Sequence, residues 1–340
     1  MPTSEYQQAR LTGLQDWGAD SLRSLGHEIG ADFRIASASD DASFRRYYRG
    51  YSAGASYIFV DAPPDKEDNQ SFVDIEKRLS GAGVLVPQVL AADLDLGYLL
   101  LIDLGDQLLL PQLQSAALDG QEKLYHGALE VLVLVSSAET KGLPVYDADR
   151  LQTEMSLFPD WFLAAQLQLS LPKTALDQIQ SVSDLMIENA LRQPSVFVHR
   201  DFHSRNLMPQ EDGSLGVIDF QDGVLGPITY DLVSLLKDCY WRLPRASVLE
   251  IVEAYRLRVS PGVGKAEFLR WFDLMGFQRH LKCAGIFSRL NLRDGKPRYL
   301  EDIPLVVSYL TEVAAEYADL NDFGTWLETE IVPSLNRLGP

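Results

Sequence analysis

The sequence contains few cysteines and no long apolar run. Its two cysteines, Cys239 and Cys283, form no CxxC pair, which argues against a disulfide framework and favours free thiols in a reducing compartment. The longest apolar stretches, around residues 97–101 and 131–135, are far too short to span a bilayer. The first ten residues are polar and include Glu5, unlike a signal peptide. These absences predict a cytoplasmic protein with no membrane partner.

Positive charge is also scarce, because 30 Lys and Arg residues stand against 48 Asp and Glu residues, for a formal net charge of −18. Without a basic surface the phosphates of a nucleic acid cannot be neutralised, so a nucleic-acid partner is not expected. A phosphorylated small molecule is still possible, since a metal ion and a few placed cations create a local positive site. No obligate protein partner is evident.

Three common active-site patterns are absent as well. There is no Walker A lysine motif, no G-x-S-x-G motif and no cluster of His and Cys at metal-binding spacing. The chemistry must therefore be sought in other residues.

Hydrophobic periodicity divides the 340 residues into two regions. The first region begins with an amphipathic helical pattern over residues 11–25, followed by short strand-like runs that one helix, over residues 70–79, interrupts. Long helical patterns follow Leu104-Gly105-Asp106, among them residues 152–169 and 265–290. This change from strand-like to helical patterns predicts an α+β fold with two lobes. The first is a small β-rich nucleotide-binding lobe over residues 1–104. The second is a larger helical lobe over residues 105–340, with the catalytic loop and the substrate site.

The strongest chemical signal follows the apolar run Val196–Val198. The next residues read His199-Arg200-Asp201, and four residues separate Asp201 from Asn206. This H-R-D-x-x-x-x-N spacing is typical of the catalytic loop of phosphoryl transfer, in which the aspartate accepts the proton of the attacking hydroxyl. We therefore predict Asp201 as the catalytic base and Asn206 as a metal ligand, with the imidazole of His199 orienting the loop.

A second carboxylate follows the apolar run 215–218. Asp219 occupies the position of the D-F-G aspartate, although Gln221 stands where that motif has glycine. A carboxylate at this place is the main magnesium ligand of a kinase, so Asp219 is predicted to bind Mg²⁺ together with Asn206. Asp231 is predicted to begin a helix and to support the catalytic loop by hydrogen bonding.

The residues from 196 to 240 resemble the aminoglycoside and choline kinase-like phosphotransferases, which share the protein-kinase fold. This resemblance implies ATP and Mg²⁺ as cofactors. A closer likeness, in residues 41–49, 61–68, 99–105 and 199–208, is to the bacterial kinases that phosphorylate the anomeric C1 hydroxyl of N-acetylmuramate and N-acetylglucosamine. It implies an amino-sugar substrate and a place in peptidoglycan recycling.

Two features of the kinase pattern are missing from the first region. No lysine ends the strand at Tyr57–Val60, and no G-x-G-x-x-G loop occurs. The segment 38–44 is expected to replace the loop, with phosphate contacts from the backbone N–H groups of Ser43 and Phe44. The missing lysine charge is expected from Arg45, Arg46 or Arg49. The adenine is expected against the backbone of the hinge, formed by Ile102, Asp103 and Leu104.

Substrate contacts are expected from cations of the helical lobe, Arg279 and Arg289 among them. Further contacts are expected from His203 and Arg205 in the catalytic loop and from Gln221 and Asp222 next to the metal aspartate. The cations between residues 279 and 298 suit the lactyl carboxylate of N-acetylmuramate, although a solvated helix face explains them equally well. Two rival functions stay open at this point. A kinase for a cationic aminoglycoside or choline-like substrate fits the acidic composition, and a nucleotide-binding pseudokinase fits the missing lysine.

Overall fold

The computed structural model describes residues 4–30, 33–39 and 44–335. The chain divides into two compact units, of which the first comprises Met1–Gln107 with Met208–Asp222 and the second Leu108–Leu207 with Gly223–Pro340. The sequence prediction placed the boundary between the two lobes at residues 104 and 105. The segment 208–222, which the prediction assigned to the helical lobe, belongs to unit 1 because the backbone N–H of Val217 donates to the carbonyl of Leu85, at 2.8 Å.

Within its described residues, unit 1 contains a five-stranded antiparallel sheet in the order β1-β2-β3-β5-β4, with two helices and a separate two-stranded ribbon. The elements are α1 Ser4–Ser24, β1 Ile35–Ser39, β2 Arg46–Ser52, β3 Ala55–Asp61, α2 Asn69–Gly81, β4 Val89–Asp93 and β5 Tyr98–Ile102. The ribbon pairs β7 Leu207–Pro209, whose first residue is counted with unit 2, with β8 Leu215–Val217.

Local sequence explains the hairpin of β2 and β3. Ser52 pairs with Ala55, so the loop consists of Ala53 and Gly54 alone, and both have positive φ, 51° and 81°. A two-residue loop with two positive φ angles has the backbone of a type I′ turn, whose twist matches that of the flanking strands.

Helix α1 covers the sheet closely. A Cβ on Gly18 would lie 2.4 Å from the ring of Phe59, so only glycine permits this approach. The core beneath the helix is apolar and fully or nearly buried, with Leu14, Leu22, Ile35, Tyr57, Phe59, Tyr98 and Leu100 as its members. Burying each such side chain stabilises the fold by about 1.5–3 kcal/mol.

Unit 2 is mainly helical, with a short antiparallel ribbon of β6 and β9. Its strands and α-helices, within the described residues, are α3 Leu109–Ser115, α4 Leu118–Ser136, α5 Ala148–Met155, α6 Lys173–Arg192, β6 Ser195–Val198, β9 Val224–Pro227, α7 Tyr230–Leu236, α8 Arg245–Val259, α9 Lys265–Leu292, α10 Ile303–Glu316, α11 Asn321–Trp326 and α12 Val332–Leu335. Helix α9 has 28 residues, most of them buried, and packs against several of the other helices. In the described ranges, no helix combines the length and apolar character needed to cross a bilayer.

The helix predicted over residues 152–169 is divided in two. Helix α5 ends at Met155, and a π-helical segment, Phe158–Gln166, follows it. Pro159 stands at the start of this segment. Proline has no N–H to donate to the preceding turn, so the regular α-helical pattern stops there.

Candidate active site

The catalytic loop follows β6, and a buried carboxylate holds its first residues. Asp231, in the first turn of α7, accepts hydrogen bonds from the backbone N–H groups of His199, at 2.6 Å, and Arg200, at 2.9 Å. Burial raises the pKa of Asp231 to about 6. The imidazole Nδ1 of His199 accepts a hydrogen bond from the N–H of Asp201, at 3.2 Å. The hydrogen bonds predicted for Asp231 and His199 are therefore present.

Arg200 is fixed by a buried ionic network. Its φ is 78°, a left-handed conformation that is uncommon for a residue with a side chain. Its Nη2 donates to Glu154, at 2.5 Å, and Lys282 Nζ lies 3.2 Å from the same carboxylate. Lys282 also donates to the hydroxyl of Tyr230, at 3.0 Å. Burial raises the pKa of Glu154, but Lys282 and Arg200 lower it more, so this carboxylate stays charged.

Asp201 is an ionised carboxylate next to several cations. Its side chain is 44% exposed, and Arg279 Nη2 lies 3.9 Å from its Oδ1. Partial removal from water raises the pKa of Asp201, but Lys282, His203 and Arg279 together bring it down to about 2. At neutral pH the carboxylate is therefore charged, which is the state in which it can accept a proton.

Arg279 is the cation closest to this carboxylate oxygen and is itself 4% exposed. Its Nη1 donates to the sulfurs of Cys239 and Cys283, each at 3.5 Å, and its Nε has no acceptor among the described residues. Arg289, the second predicted arginine of α9, lies ten residues further on, or about 15 Å along the helix axis at 1.5 Å per residue. The two predicted arginines therefore do not form one cluster.

Two further predicted substrate residues, His203 and Arg205, contact the same aromatic ring. The ring of His203 is buried and meets Tyr240 edge to face, with 5.3 Å between the centroids. The guanidinium of Arg205 lies 3.5 Å from the centroid of Tyr240. Arg205 is partly exposed and has no carboxylate partner within 4.0 Å among the described residues. Both side chains therefore lie in the catalytic loop beside an aromatic surface.

Asp219 lies in unit 1, two residues beyond β8. Its φ is 62°, and its Oδ1 accepts a hydrogen bond from Gln221 Nε2, at 2.8 Å. The neighbouring Phe220 packs on Phe72 of α2 with 4.8 Å between the ring centroids, which anchors the segment. Gln221 thus contacts the predicted metal ligand, while the side chain of Asp222 is exposed.

Both predicted metal ligands offer oxygen atoms of the kind that Mg²⁺ prefers. Asp219 is exposed, and Asn206 donates from its Nδ2 to the carbonyl of Asp201, at 3.0 Å. The side-chain oxygen of Asn206 is therefore the atom of its amide that can bind a metal. Mg²⁺ is usually bound by one or two such ligands together with nucleotide phosphates. Among the described residues, no group of three or more His, Cys, Asp or Glu side chains forms a metal cluster. Asn206 in unit 2 and Asp219 in unit 1 therefore each offer an oxygen ligand that suits Mg²⁺.

The predicted phosphate contacts of unit 1 have other partners in the structure. The N–H of Phe44 donates to Glu67, at 3.0 Å, and Arg45 Nη1 forms an ion pair with the same carboxylate, at 3.1 Å. Ser43 lies outside the described residues. One glutamate therefore holds two of the three groups predicted to contact phosphate on this segment.

The predicted hinge is tied to its surroundings by polar contacts. Asp103 accepts from Arg49 Nε, at 2.6 Å, and from the N–H of Gly105, at 2.9 Å. The carbonyl of Leu104 accepts from Gln210 Nε2, at 3.1 Å. Ile102, the last residue of β5, donates its N–H to the carbonyl of residue 88. Arg49, one of the three candidates for the missing lysine, is thus occupied in holding the hinge.

Sequence reasoning missed three residues that shape this site, Glu154, Asp238 and Cys239. Glu154 pairs with Arg200, 46 positions away, a distance that carries no local signal. Asp238 is fully buried and accepts two hydrogen bonds from Ser204. It lies two residues beyond the end of α7, and no local pattern in the sequence indicates that it contacts the catalytic loop.

Comparison with known proteins agrees with this geometry. Residues 34–269 match the model of the phosphotransferase enzyme family. An N-acetylmuramate/N-acetylglucosamine kinase of Pseudomonas aeruginosa is 44% identical over 299 residues, which cover 86% of this chain and 87% of the relative. A protein of the same name from Pseudomonas putida is 42% identical and covers 93% of this chain and 95% of the relative.

Solved structures support the fold at low sequence identity. An ADP-bound aminoglycoside phosphotransferase superimposes with a TM-score of 0.55 at 15% identity, covering 86% of this chain and 96% of its own. The choline kinase LicA from Streptococcus pneumoniae gives a TM-score of 0.61 at 11% identity, covering 90% of this chain and 100% of its own. The predicted two-lobed, protein-kinase-like α+β fold is confirmed. The chain belongs to the phosphotransferase enzyme family.

Proposed function

We propose that the chain transfers the γ-phosphoryl group of ATP to the anomeric C1 hydroxyl of N-acetylmuramate and of N-acetylglucosamine. The observation that carries this proposal is the identity of 42–44% with kinases named for these two sugars, over 86–93% of the chain. We further propose that the reaction takes place in the cytoplasm and serves peptidoglycan recycling. The solved neighbours named for aminoglycosides or choline share only 11–15% identity, so they do not favour those substrates.

In the proposed mechanism, Asp201 accepts the proton of the sugar hydroxyl as the phosphoryl group is transferred. Its pKa of about 2 makes it a weak base, but an anomeric hydroxyl is more acidic than an ordinary alcohol, and a loose transition state needs little proton transfer before bond formation. Orientation of the hydroxyl is then the larger contribution of Asp201. Asp231 serves by holding the backbone of the loop in place.

Asn206 and Asp219 are proposed to hold Mg²⁺ through their side-chain oxygens. When bound, this ion neutralises the charge that develops on the transferred phosphates. Gln221 orients the Asp219 carboxylate by its hydrogen bond of 2.8 Å. The hinge backbone of residues 102–104 is proposed to bind the adenine, and Phe44 and Arg45 to lie next to the phosphates with Ser43.

Arg279 is proposed to bind the lactyl carboxylate that distinguishes N-acetylmuramate from N-acetylglucosamine. It is a nearly buried guanidinium, 3.9 Å from the base, with only sulfur acceptors at Nη1. A guanidinium forms its strongest hydrogen bonds with a carboxylate, often two in parallel. His203, Arg205, Gln221, Asp222 and Arg289 remain candidates for the other substrate contacts.

Phosphorus NMR of the product tests the proposed reaction. Purified protein is incubated with ATP, Mg²⁺ and either sugar, and with an aminoglycoside or choline as competing acceptors. We expect an anomeric sugar 1-phosphate from both sugars. A 6-phosphate, or phosphorylation of an aminoglycoside or choline alone, would overturn the assignment of the substrate. The Asp201→Asn protein is the control for a contaminating kinase.

A further inference from the structure

The buried thiols of Cys239 and Cys283 contact the guanidinium of Arg279, which lies next to Asp201. Cys283 follows Arg279 by one turn of α9, and Cys239 lies three residues beyond the end of α7. The thiols are 8% and 3% exposed, respectively. Arg279 Nη1 donates to both sulfurs, each at 3.5 Å, while Nη2 of the same group lies 3.9 Å from Asp201.

This arrangement is unusual because sulfur is a weak hydrogen-bond acceptor. A buried guanidinium normally pairs with a carboxylate, and the carboxylate nearest to Nη2 in the structure is that of Asp201. A direct ion pair between Arg279 and Asp201 would occupy the oxygens that must face the substrate hydroxyl. It would also make the base still weaker. Another contact of Arg279 must therefore keep its Nη2 at 3.9 Å from Asp201.

The two thiols are placed to do this. They contact Nη1, whereas Nη2 is the nitrogen that faces Asp201. Cys239 is hydrogen-bonded to Cys283, and this contact lowers the pKa of Cys283 to about 7. Arg279 and Lys282 lower this pKa further, whereas burial and Asp201 raise it. Of the two sulfurs, that of Cys283 therefore takes up negative charge more readily, and negative charge there attracts the guanidinium.

We propose that Cys239 and Cys283 are positioning residues that hold Arg279 as the anion-binding group 3.9 Å from Asp201, instead of in a direct hydrogen bond to it. The inference rests on the proposed function, because the anion is the carboxylate of an N-acetylated amino sugar that bears one. It extends that function, because it assigns the selectivity between an acidic and a neutral sugar to two thiols. In the described contacts, these thiols touch neither the base nor the metal ligands.

Substitution of the thiols tests the proposal through selectivity. In Cys239→Ala and Cys283→Ala, Arg279 loses an acceptor and shifts toward Asp201. We expect kcat/KM for N-acetylmuramate to fall about tenfold or more relative to that for N-acetylglucosamine, the size expected for one hydrogen bond to a charged group. The serine variants, which keep a hydrogen-bonding group, should lose less. Ser288→Ala is the matched control, because Ser288 is also buried on α9 and, among the described residues, its hydroxyl bonds to the carbonyl of Ala284 alone.

A second measurement does not depend on catalysis. Thiolate absorbance in the ultraviolet is titrated in wild type and in Arg279→Gln, which has lost the cation. We expect the thiolate to appear at higher pH in the variant, because a positive neighbour stabilises the charged sulfur. An unchanged titration would overturn the contact on which the proposal depends, even if an alanine variant failed to fold.

The failures of the two proposals can be told apart. If wild type phosphorylates neither sugar, the proposed function is wrong and the selectivity assignment falls with it. If wild type phosphorylates both sugars, but the alanine variants keep the wild-type ratio of kcat/KM as Ser288→Ala does, the positioning role is wrong while the proposed function stands.

Discussion

Asp238 binds both hydrogen-bond donors of Ser204. Its Oδ2 accepts from the backbone N–H, at 3.0 Å, and from the hydroxyl, at 2.5 Å. Both residues are buried, and Ser204 lies between the proposed base and the proposed metal ligand Asn206. The other oxygen of Asp238 accepts from the N–H of Tyr240, at 3.0 Å. One carboxylate therefore joins the middle of the catalytic loop to the residue whose ring contacts Arg205.

Asp238→Ala is expected to loosen this loop. The substitution leaves two donors of Ser204 buried without an acceptor, and each such donor destabilises the fold by about 1–3 kcal/mol. We expect a lower free energy of unfolding, measured with urea, and a lower kcat. Ser204→Ala removes only the hydroxyl and should have the smaller effect. Equal stability of Asp238→Ala and wild type would contradict the role of this carboxylate.

The motifs predicted much of this loop before its contacts were known. The H-R-D-x-x-x-x-N spacing placed Asp201 and Asn206 in one loop, because a local pattern fixes the order of groups along a turn. The role of Asp231 followed from its place at a helix start. The long apolar periodicity also predicted α9 over residues 265–290, within two residues of its observed end.

What the sequence did not reveal depends on packing between distant segments. Glu154 and Arg200 are 46 positions apart, and nothing local indicates that α5 presents an acid to the loop. Strand β9 was missed because four residues ending in Gly226-Pro227 have little strand propensity, and pairing with β6 stabilises them instead. The cations of residues 279–298 looked like one cluster because linear spacing does not show which face of a helix is buried.

Asp201→Asn is expected to keep the fold and the affinity for ATP while lowering kcat by about 10²–10⁴. Asparagine preserves the shape of the side chain but cannot accept the proton or orient the hydroxyl as a carboxylate does. Single-turnover kinetics measure the loss, and calorimetry measures ATP binding. Asp184→Asn, the same change on the exposed surface of α6, should behave as wild type. Normal turnover by Asp201→Asn would remove this residue from the mechanism.

Asp219→Ala is expected to weaken ATP binding in the presence of Mg²⁺ and to abolish turnover. Asn206→Ala should have a milder effect on binding, since a neutral amide is a weaker ligand than a carboxylate. Calorimetry with Mg²⁺ and with EDTA gives the metal-dependent part of the affinity for each protein. If Asp219→Ala bound ATP as tightly as wild type and with the same Mg²⁺ dependence, the metal ligand would have to be another residue.

Substitution of Arg46 is expected to affect nucleotide binding, whereas substitution of Arg49 is expected to affect stability. Arg49 is paired with Asp103 and Asp106, so Arg49→Ala leaves the nearly buried Asp103 without its cation and should lower the free energy of unfolding by about 1–3 kcal/mol. Arg46, at the start of β2, has only the hydroxyl of Tyr48 as a partner among the described contacts. We expect Arg46→Ala to raise the KM for ATP with little change in stability. The opposite pattern would place the missing lysine charge at Arg49.

Lys282 is expected to keep Asp201 ionised, which gives a test by pH. Partial removal from water raises the pKa of Asp201, and Lys282 is the largest of the influences that lower it, to about 2. Asp201 must be charged to accept a proton, so wild type should stay active down to the pH at which it unfolds. Lys282→Met removes the positive charge, and the pKa of Asp201 then rises. We expect the acid limb of kcat/KM to move to higher pH in this variant.

Lys282→Arg keeps the charge and is the matched control, so its acid limb should follow that of wild type. Lys282→Met also leaves Glu154 with Arg200 as its one ion-pair partner in the part of the chain that the structure describes. Breaking such a buried pair destabilises a protein by about 3–5 kcal/mol, so circular dichroism must define the pH range in which each variant is folded. Within that range, an acid limb that is the same in Lys282→Met as in wild type would show that Lys282 does not set the pKa of the base. A shift in both variants would point to altered packing instead of charge, because only the methionine removes the cation.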